Sequence, residues 1–326
     1  MLFANIYVGS VSIPASDVWN ILLGGEPEKK IWRRIVLESR LPQALTALFA
    51  GGGLAVSGLL LQTVFRNPLA DSGILGISAG SSLGVAVIVL LFGNLLGSSA
   101  FFSLSASMTV VIGAFIGAVV ILAIIMFFSS IVKSNVMLLI IGIMVGYLTS
   151  SVISLLKYWS TTESNFIYMI WGMGDFSGVS ITQLPFFCIV VMIGLIISFL
   201  LMKPLNALLL GDRYATNLGV NVKKVRFLLL FCAGLLTAVI TAYSGPIAFI
   251  GLAVPHISRL ILGSSDHKLL LPCTVLIGSL MALLCNFICV LPIFSSVLPL
   301  NAITPIFGAP VIIYIIVNQK KIQYFN

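Results

Sequence analysis

Long uncharged stretches alternate with short polar ones along this chain, and one stretch sets the pattern. Arg40 to Gly84 reads RLPQALTALFAGGGLAVSGLLLQTVFRNPLADSGILGISAGSSLG. A charge and a proline open it, and Leu41–Phe65 then carries no charge at all. A polar break follows, Arg66-Asn67-Pro68-Leu69-Ala70-Asp71, after which no charge returns until Lys133. A run of about 20 apolar residues crosses a bilayer as a helix. Backbone that leaves a helix in lipid must be covered by protein or face a wet cavity, because hydrocarbon satisfies no N–H or C=O group. The break therefore predicts a segment buried in a helix bundle, beside a path for something polar.

The same reading places spans near 42–64, 72–92, 107–132, 136–156, 181–202, 227–243, 247–262, 270–290 and 302–317. The window 247–262 is the weakest, because Pro255, His256 and Arg259 interrupt it. Residues 1–13 are apolar but too short to span alone, and they lack the basic start and cleavage site of a signal peptide. Residues 14–39 hold Asp17, Glu26, Glu28, Lys29, Lys30, Arg33, Arg34 and Glu38 and are expected outside the membrane core. The fold class predicted is an all-α polytopic membrane protein with nine helices, or ten if a first helix includes or precedes residues 1–13. The whole chain, 1–326, reads as one transmembrane domain.

Composition agrees. The 326 residues are 60% hydrophobic and 8% charged, where a soluble domain carries roughly 25% charged residues. The net charge of +8 is scattered over short loops, so it signals no nucleic-acid partner, which would need a basic face on a soluble module. It fits loops facing an anionic leaflet, with membrane lipid as the surrounding partner. With alternating spans, one side receives Arg66, Lys133, Lys203, Arg213, Lys223, Lys224, Arg226, Arg259, Lys268, Lys320 and Lys321. The other receives Lys29, Lys30, Arg33, Arg34, Arg40 and Lys157. The first set is larger and occurs on every loop of its side, so that side is read as cytoplasmic. The lone external basic cluster calls for a docking partner. On the cytoplasmic side, 206–218 has a helical look, punctuated by Gly211 and Gly219, with apolar positions that want a protein surface or the membrane interface.

Candidate chemistry is sparse. No phosphate-binding P-loop and no zinc-protease motif occurs. Gly76-Ile77-Ser78-Ala79-Gly80 matches a nucleophile elbow in letters only, since it lies in an apolar helical span rather than after a strand. Cys285 and Cys289 share a helix face, yet no His, Asp or Glu is near them in sequence, so small apolar fillers are expected. None of the nine acidic residues falls in mid-span, which argues against a proton-driven carrier and an intramembrane hydrolase. No catalytic residue, cofactor or metal is predicted. A pore-forming body powered by another chain remains, or a passive channel.

Several motifs, in order, then match a known family. Arg40-Leu41-Pro42-Gln43, Asn67-Pro68-Leu69-Ala70 with Gly76 and Gly80, and Leu210-Gly211-Asp212 through Ala215 to Leu218-Gly219-Val220 carry the first part. Gly245-Pro246-Ile247-Ala248-Phe249-Ile250-Gly251-Leu252, Val254-Pro255-His256 with Arg259, Asp266-His267-Lys268 and Gly308-Ala309-Pro310 carry the rest. From Ile13 onward the chain resembles the permease subunit of type II ABC importers for iron-siderophore, haem and cobalamin uptake. The resemblance implies ten helices per subunit, a homodimer with the path at its interface, two cytoplasmic ATP-binding subunits, an external solute-binding protein and a bacterial inner-membrane location. It implies a chain that is no enzyme itself, with ferric siderophore the foremost cargo and haem or cobalamin the alternatives.

Carried over residue by residue, Asn67 and Leu69 match one cytoplasmic gate region, and Ser134 and Asn135 the other. Residues 206–219 match the helix that docks into an ATPase cleft, with Asn206, Leu210, Gly211, Asp212, Ala215, Leu218 and Gly219 in it. Arg40 matches an arginine that pairs with a carboxylate of the binding protein. Departures occur: Gln43 and Val290 stand where the family has arginines, and Val297 where it has a glutamate. Arg33 and Arg34, with Lys29 and Lys30, are candidates to take over that docking. Most of the family's first helix has no counterpart in residues 1–13.

Overall fold

The computed structural model describes residues 1–9, 11–92, 104–132, 134–291 and 297–317. The described residues form helices joined by short irregular segments. In chain order these are α1 (Leu2–Tyr7), α2 (Ala15–Leu22), α3 (Lys30–Phe65), α4 (Ile77–Phe92), α5 (Leu104–Ile131), α6 (Asn135–Trp159) and α7 (Thr162–Gly172). They continue as α8 (Leu184–Leu200), α9 (Met202–Leu209), α10 (Asp212–Asn217), α11 (Val222–Ser244), α12 (Ile250–Leu262), α13 (His267–Cys289) and α14 (Leu300–Val317).

Each of the nine span windows is a helix. Among the described residues five helices are long and apolar enough to cross a membrane: α3, Met108–Ile131 of α5, α6, α11 and α13. The pair α8 and α9, bent by 54°, makes a sixth. Three apolar helices are shorter, namely α4, α12 and Leu300–Ile315 of α14. Two of them follow irregular backbone, at 66–76 and 245–249. At 1.5 Å per residue, the 13 residues of α12 reach about 20 Å, short of a hydrocarbon core of about 30 Å.

Helix α3 is the axis of the bundle. Over Leu41–Phe65 it is apolar on all sides, so that part has no face to offer water. In α3, 83% of the apolar window is buried, against 28% in α6. Thus α3 runs through the protein centre, while α6 turns Val136, Ile140, Met144, Tyr147, Leu148 and Leu155 outward. Between lipid-exposed helices there is little hydrophobic drive to associate, so close packing has to supply the attraction. Glycines allow it here. A Cβ placed on Gly51 would lie 2.3 Å from the Gly278 carbonyl of α13, and one on Gly58 would lie 1.8 Å from that of Gly251 in α12. Gly80 and Gly84 of α4 face Gly117 and Gly113 of α5, with hypothetical Cβ distances of 2.1 Å (Gly117 to the Gly80 carbonyl) and 1.9 Å (Gly84 to the Gly113 carbonyl). Two glycines four residues apart on each helix make a crossing that only bare backbone permits.

The N-terminal region departs from expectation. Residues 30–40 are not separate from the first span: Lys30–Arg34 passes through a π-turn at Ile35–Arg40 directly into Leu41–Phe65. Asn5 of α1 donates to the Leu283 carbonyl of α13 at 3.0 Å, and Asn286 donates to Asn5 at 2.8 Å. Helix α7 also lies where no element was expected. Its signals are present, namely Thr161 accepting from the Ser164 N–H at 3.3 Å as N-cap and Glu163 in the first turn.

Candidate gate and coupling site

The predicted cytoplasmic residues meet at one end of the bundle. Helix α3 ends at Phe65, and Arg66 turns the chain with φ 47°. Such a left-handed conformation closes many helix C-termini, though glycine usually provides it. Within the break, Asn67 Oδ1 accepts from the Leu69 N–H at 2.9 Å, a local turn that leaves Leu69 exposed. His256 of α12 donates from Nε2 to the Pro68 carbonyl at 2.7 Å. Asp71 Oδ2 accepts from the Gly73 N–H at 3.4 Å. Its other oxygen lies against Gly251, where an added Cβ would come within 2.4 Å. Gly251 belongs to the first turn of α12, so the carboxylate faces the positive end of a helix dipole. Sequence reading gave Asp71 no role, because its partner is 180 positions away in the chain.

Asn135 opens α6, with Ser134 as N-cap accepting from Met137 N–H at 3.5 Å. The Asn135 amide donates to the Val64 carbonyl at 2.9 Å. The two predicted gate regions therefore converge on the last turn of α3. His256 and Pro68, 188 positions apart in the chain, are also brought together there.

The predicted coupling segment is two helices rather than one. α9 ends at Leu209, Gly211 takes φ 110°, α10 runs Asp212–Asn217, and Gly219 takes φ 83°. The glycines break the helix because both positions need a φ that a side chain resists. Leu205, Leu208 and Ala215 face inward and are buried. Leu210, Tyr214 and Leu218 point away at 63%, 67% and 65% exposure, an apolar row on the polar end of the molecule.

Polar clusters fix this segment at both ends. Asn206 Oδ1 accepts from the His267 backbone N–H at 2.9 Å and from His267 Nδ1 at 2.8 Å. Its amide nitrogen donates to Asp266 Oδ1 at 2.6 Å. These contacts fix the amide orientation: the backbone N–H requires an oxygen, the carboxylate requires a donor. A neutral His267 ring then carries its hydrogen on Nδ1, and Nε2 lies 3.0 Å from the Thr63 hydroxyl, which also lies 2.9 Å from the Leu59 carbonyl. Asp266 caps α13, and the Lys268 N–H, followed by the Asn206 amide, holds its carboxyl below the ordinary range. At the other end, Asp212 bridges Arg66 at 2.8 Å and Arg226 at 3.1 Å. A cavity of about 480 Å³ opens beside it, lined by Ser129, Ser130, Lys223, Lys224 and Arg226 among others.

Arg259, expected among the cytoplasmic charges, is buried and donates to Gln62 at 2.7 Å. Other basic residues separate between the two ends. Arg66, Arg226 and Lys268 lie about this end, whereas Lys30, Arg33 and Arg34 start α3 at the other. Lys133, Lys320 and Lys321 fall outside the described residues.

Arg40, expected at the docking surface, turns inward. Its side chain is buried and donates to the carbonyls of Ile6 and Tyr7 at 3.1 and 2.7 Å and to that of Val11. It closes the C-terminus of α1, whose last carbonyls have no intrahelical partner. Gln43, where the family has arginine, also points inward and donates to Asn286 at 3.1 Å. Arg33 and Arg34 are exposed, with Arg34 paired to Glu38 at 3.3 Å.

A membrane bundle with irregular backbone between its helices at 66–76 and 245–249, and a clamped apolar segment at one end, fits a transport permease. The chain belongs to the FecCD transport family, which matches residues 1–318. It is 33% identical to the hemin transport system permease protein HmuU of Yersinia pestis, over 96% of this chain and 91% of that one. It is 34% identical to the molybdate import system permease protein MolB of Haemophilus influenzae, over the same shares. It is also 34% identical to the vitamin B12 import system permease protein BtuC of Citrobacter koseri, over 95% and 91%. A solved inward-facing metal-chelate type ABC transporter superposes with a TM-score of 0.82 at 31% identity, covering 98% of this chain and 96% of that one. The fold is that of a type II ABC importer permease.

Proposed function

We propose that this chain is the membrane-spanning subunit of an ATP-driven importer that passes a bulky metal chelate, with ferric siderophore the first candidate. It works as a homodimer in a bacterial inner membrane, with two cytoplasmic ATP-binding subunits and an external solute-binding protein. The whole chain forms one transmembrane domain. Asn67, Leu69, Ser134 and Asn135 act at the cytoplasmic gate. Residues 206–219 dock on the ATP-binding subunit through Leu210, Tyr214 and Leu218. Gly211 and Gly219 set the turns, Ala215 packs inward, and Asn206 and Asp212 hold the segment. Arg33 and Arg34 meet the binding protein.

The observation that carries this reading is the exposed apolar row on a segment anchored at both ends. An exposed apolar cluster calls for a protein or membrane partner, and two anchors give that partner mechanical purchase on the bundle. The outward apolar face of α6 supports a second copy as neighbour. Relatives of equal identity are named for hemin, molybdate and vitamin B12, so identity alone does not select the cargo. The test is ATP hydrolysis by the complex in lipid, with its binding protein loaded in turn with ferric siderophore, haem, cobalamin or molybdate. Stimulation by the ferric siderophore form supports the proposal. Stimulation by another form alone replaces the cargo and keeps the importer.

A further inference from the structure

The last turn of α3, Thr63–Arg66, reaches the coupling segment directly through Arg66 and by way of His267 through Thr63; it touches one gate region at Asn135 and runs straight into the other at Asn67. Thr63 meets His267 at 3.0 Å, and His267 meets Asn206 at 2.8 Å. Arg66 meets Asp212 at 2.8 Å. The Val64 carbonyl accepts from Asn135 at 2.9 Å. Arg66 leads without interruption into Asn67, whose amide N–H donates to the Gln62 carbonyl at 3.2 Å.

The sequence explains why Asn135 binds there. The natural partner of the Val64 carbonyl is the N–H of the fourth residue onward, which is Pro68 and has none. An end-of-helix carbonyl needs an outside donor when buried, and the Asn135 amide provides it. The end of α3 at Phe65 leaves that carbonyl to Asn135, and Pro68 has no N–H to offer in its place, while its own carbonyl is held by His256. Pro68 ties the first gate region to α12, and the end of α3 holds the second.

We infer that Thr63, Val64 and Arg66 form a node through which movement of residues 206–219 is delivered to both gate regions together. This rests on the proposed coupling role of 206–219. Thr63 and Arg66 are positioning residues that touch neither cargo nor nucleotide. A path of direct contacts is a physical route for coupling, and the coupling itself has to be measured. One direct contact and one relayed through His267 join the two ends of the segment to one helical turn, so the turn follows the segment as a unit. Both gate regions then change state in step rather than independently.

The experiment uses the chain in complex with its ATP-binding subunits in lipid, carrying Leu69→Cys as a reporter. The rate of labelling by a water-soluble maleimide is compared between the nucleotide-free and vanadate-trapped states, with the chain lacking Leu69→Cys as the background for its native cysteines. In the parent, the rate changes severalfold between states. With Thr63→Val and Arg66→Gln added, the two rates converge, while ATP hydrolysis and subunit association persist. Thr63→Ser with Arg66→Lys keeps the donors and restores the difference. An undiminished difference in the Thr63→Val, Arg66→Gln chain overturns the node. So does loss of subunit association in that chain, which would make the contacts part of the docking surface. No difference in the parent removes the coupling role of 206–219, and the node with it.

Discussion

Arg40 and Arg33 are seven positions apart and have opposite fates. Arg40 sits in the π-turn of α3, directed at the carbonyls that end α1, whereas Arg33 stays in solvent. Removing a donor from buried carbonyls costs about 1–3 kcal/mol. Arg40→Gln should therefore lower the melting temperature in detergent while leaving binding-protein affinity in the folded fraction unchanged. Reversal of Arg33 and Arg34 to Glu should do the opposite, weakening affinity at unchanged stability. A titration of the binding protein against both variants separates the two roles, and an unaltered affinity for the Glu variants removes Arg33 and Arg34 from docking.

Asp266 gives a pH prediction. Its carboxyl is held below the ordinary value, so its contribution is complete above the unfolded value, about 3.9. That contribution is lost only as pH falls through the lower folded value. Asp266→Ala should lower stability as a lost N-cap. The gap in melting temperature from the parent should stay constant between about pH 5 and 8, well above the carboxylate range. A gap that closes toward the acid end contradicts the assignment.

At the scale of elements, the glycine crossings are the most demanding feature. Gly84→Val places a branched side chain where even a Cβ would sit 1.9 Å from a backbone carbonyl. Overpacking of this kind costs about 1–3 kcal/mol, and here the backbone itself must separate. Gly84→Val should destabilise the bundle strongly in a thermal melt, whereas Gly219→Ala, with nothing within 4 Å of its added Cβ, should cost only its left-handed backbone. Equal melting temperatures for Gly84→Val and the parent would mean that α4 and α5 do not cross there.

Element positions were legible wherever hydrophobic runs set them. All nine windows became helices, because an uncharged run in lipid has no other way to satisfy its backbone. Lengths were less legible. Charges at Lys30, Arg33, Arg34 and Glu38 marked the start of α3 as polar, yet a helix continues through them to a π-turn. Helix α7 was missed because it is too short for a span, although Thr161 and Glu163 gave its start. The split at Gly211 was visible as punctuation but not as two helices. What the sequence could not reveal was contact: Thr63 with His267, Asn135 with Val64, and the inward turn of Arg40 join positions far apart in the chain. Motif likeness located Asn67 and Asn135 individually, and only the fold shows them converging on one helical turn.

At the scale of the whole molecule, the two ends differ in kind. One carries Arg66, Asp212, Arg226, Asn206 and Asp266 in connected clusters, with an apolar row outside them. The other carries Arg33 and Arg34 free of such a framework, while Arg40 and Gln43 face inward. An end built of cross-linked polar contacts transmits force, and an end with exposed cations attracts a partner through the solvent, with an on-rate that salt reduces. Docking of the binding protein should accordingly weaken as ionic strength rises, whereas association with the ATP-binding subunit should persist if, as proposed, it seats on Leu210, Tyr214 and Leu218. A surface-binding assay across a salt series distinguishes them, and matching salt slopes would contradict the assignment.

The most direct test of the account is ATP-dependent uptake by proteoliposomes containing the full complex, comparing the parent with Leu210→Glu and Tyr214→Glu. Both side chains point outward, so the substitutions leave the interior of the bundle intact. The account predicts that the ATP-binding subunit no longer co-purifies and that ATP-driven uptake is lost. Uptake that continues undiminished, or that needs no ATP in the parent, would contradict it and make the chain a passive channel.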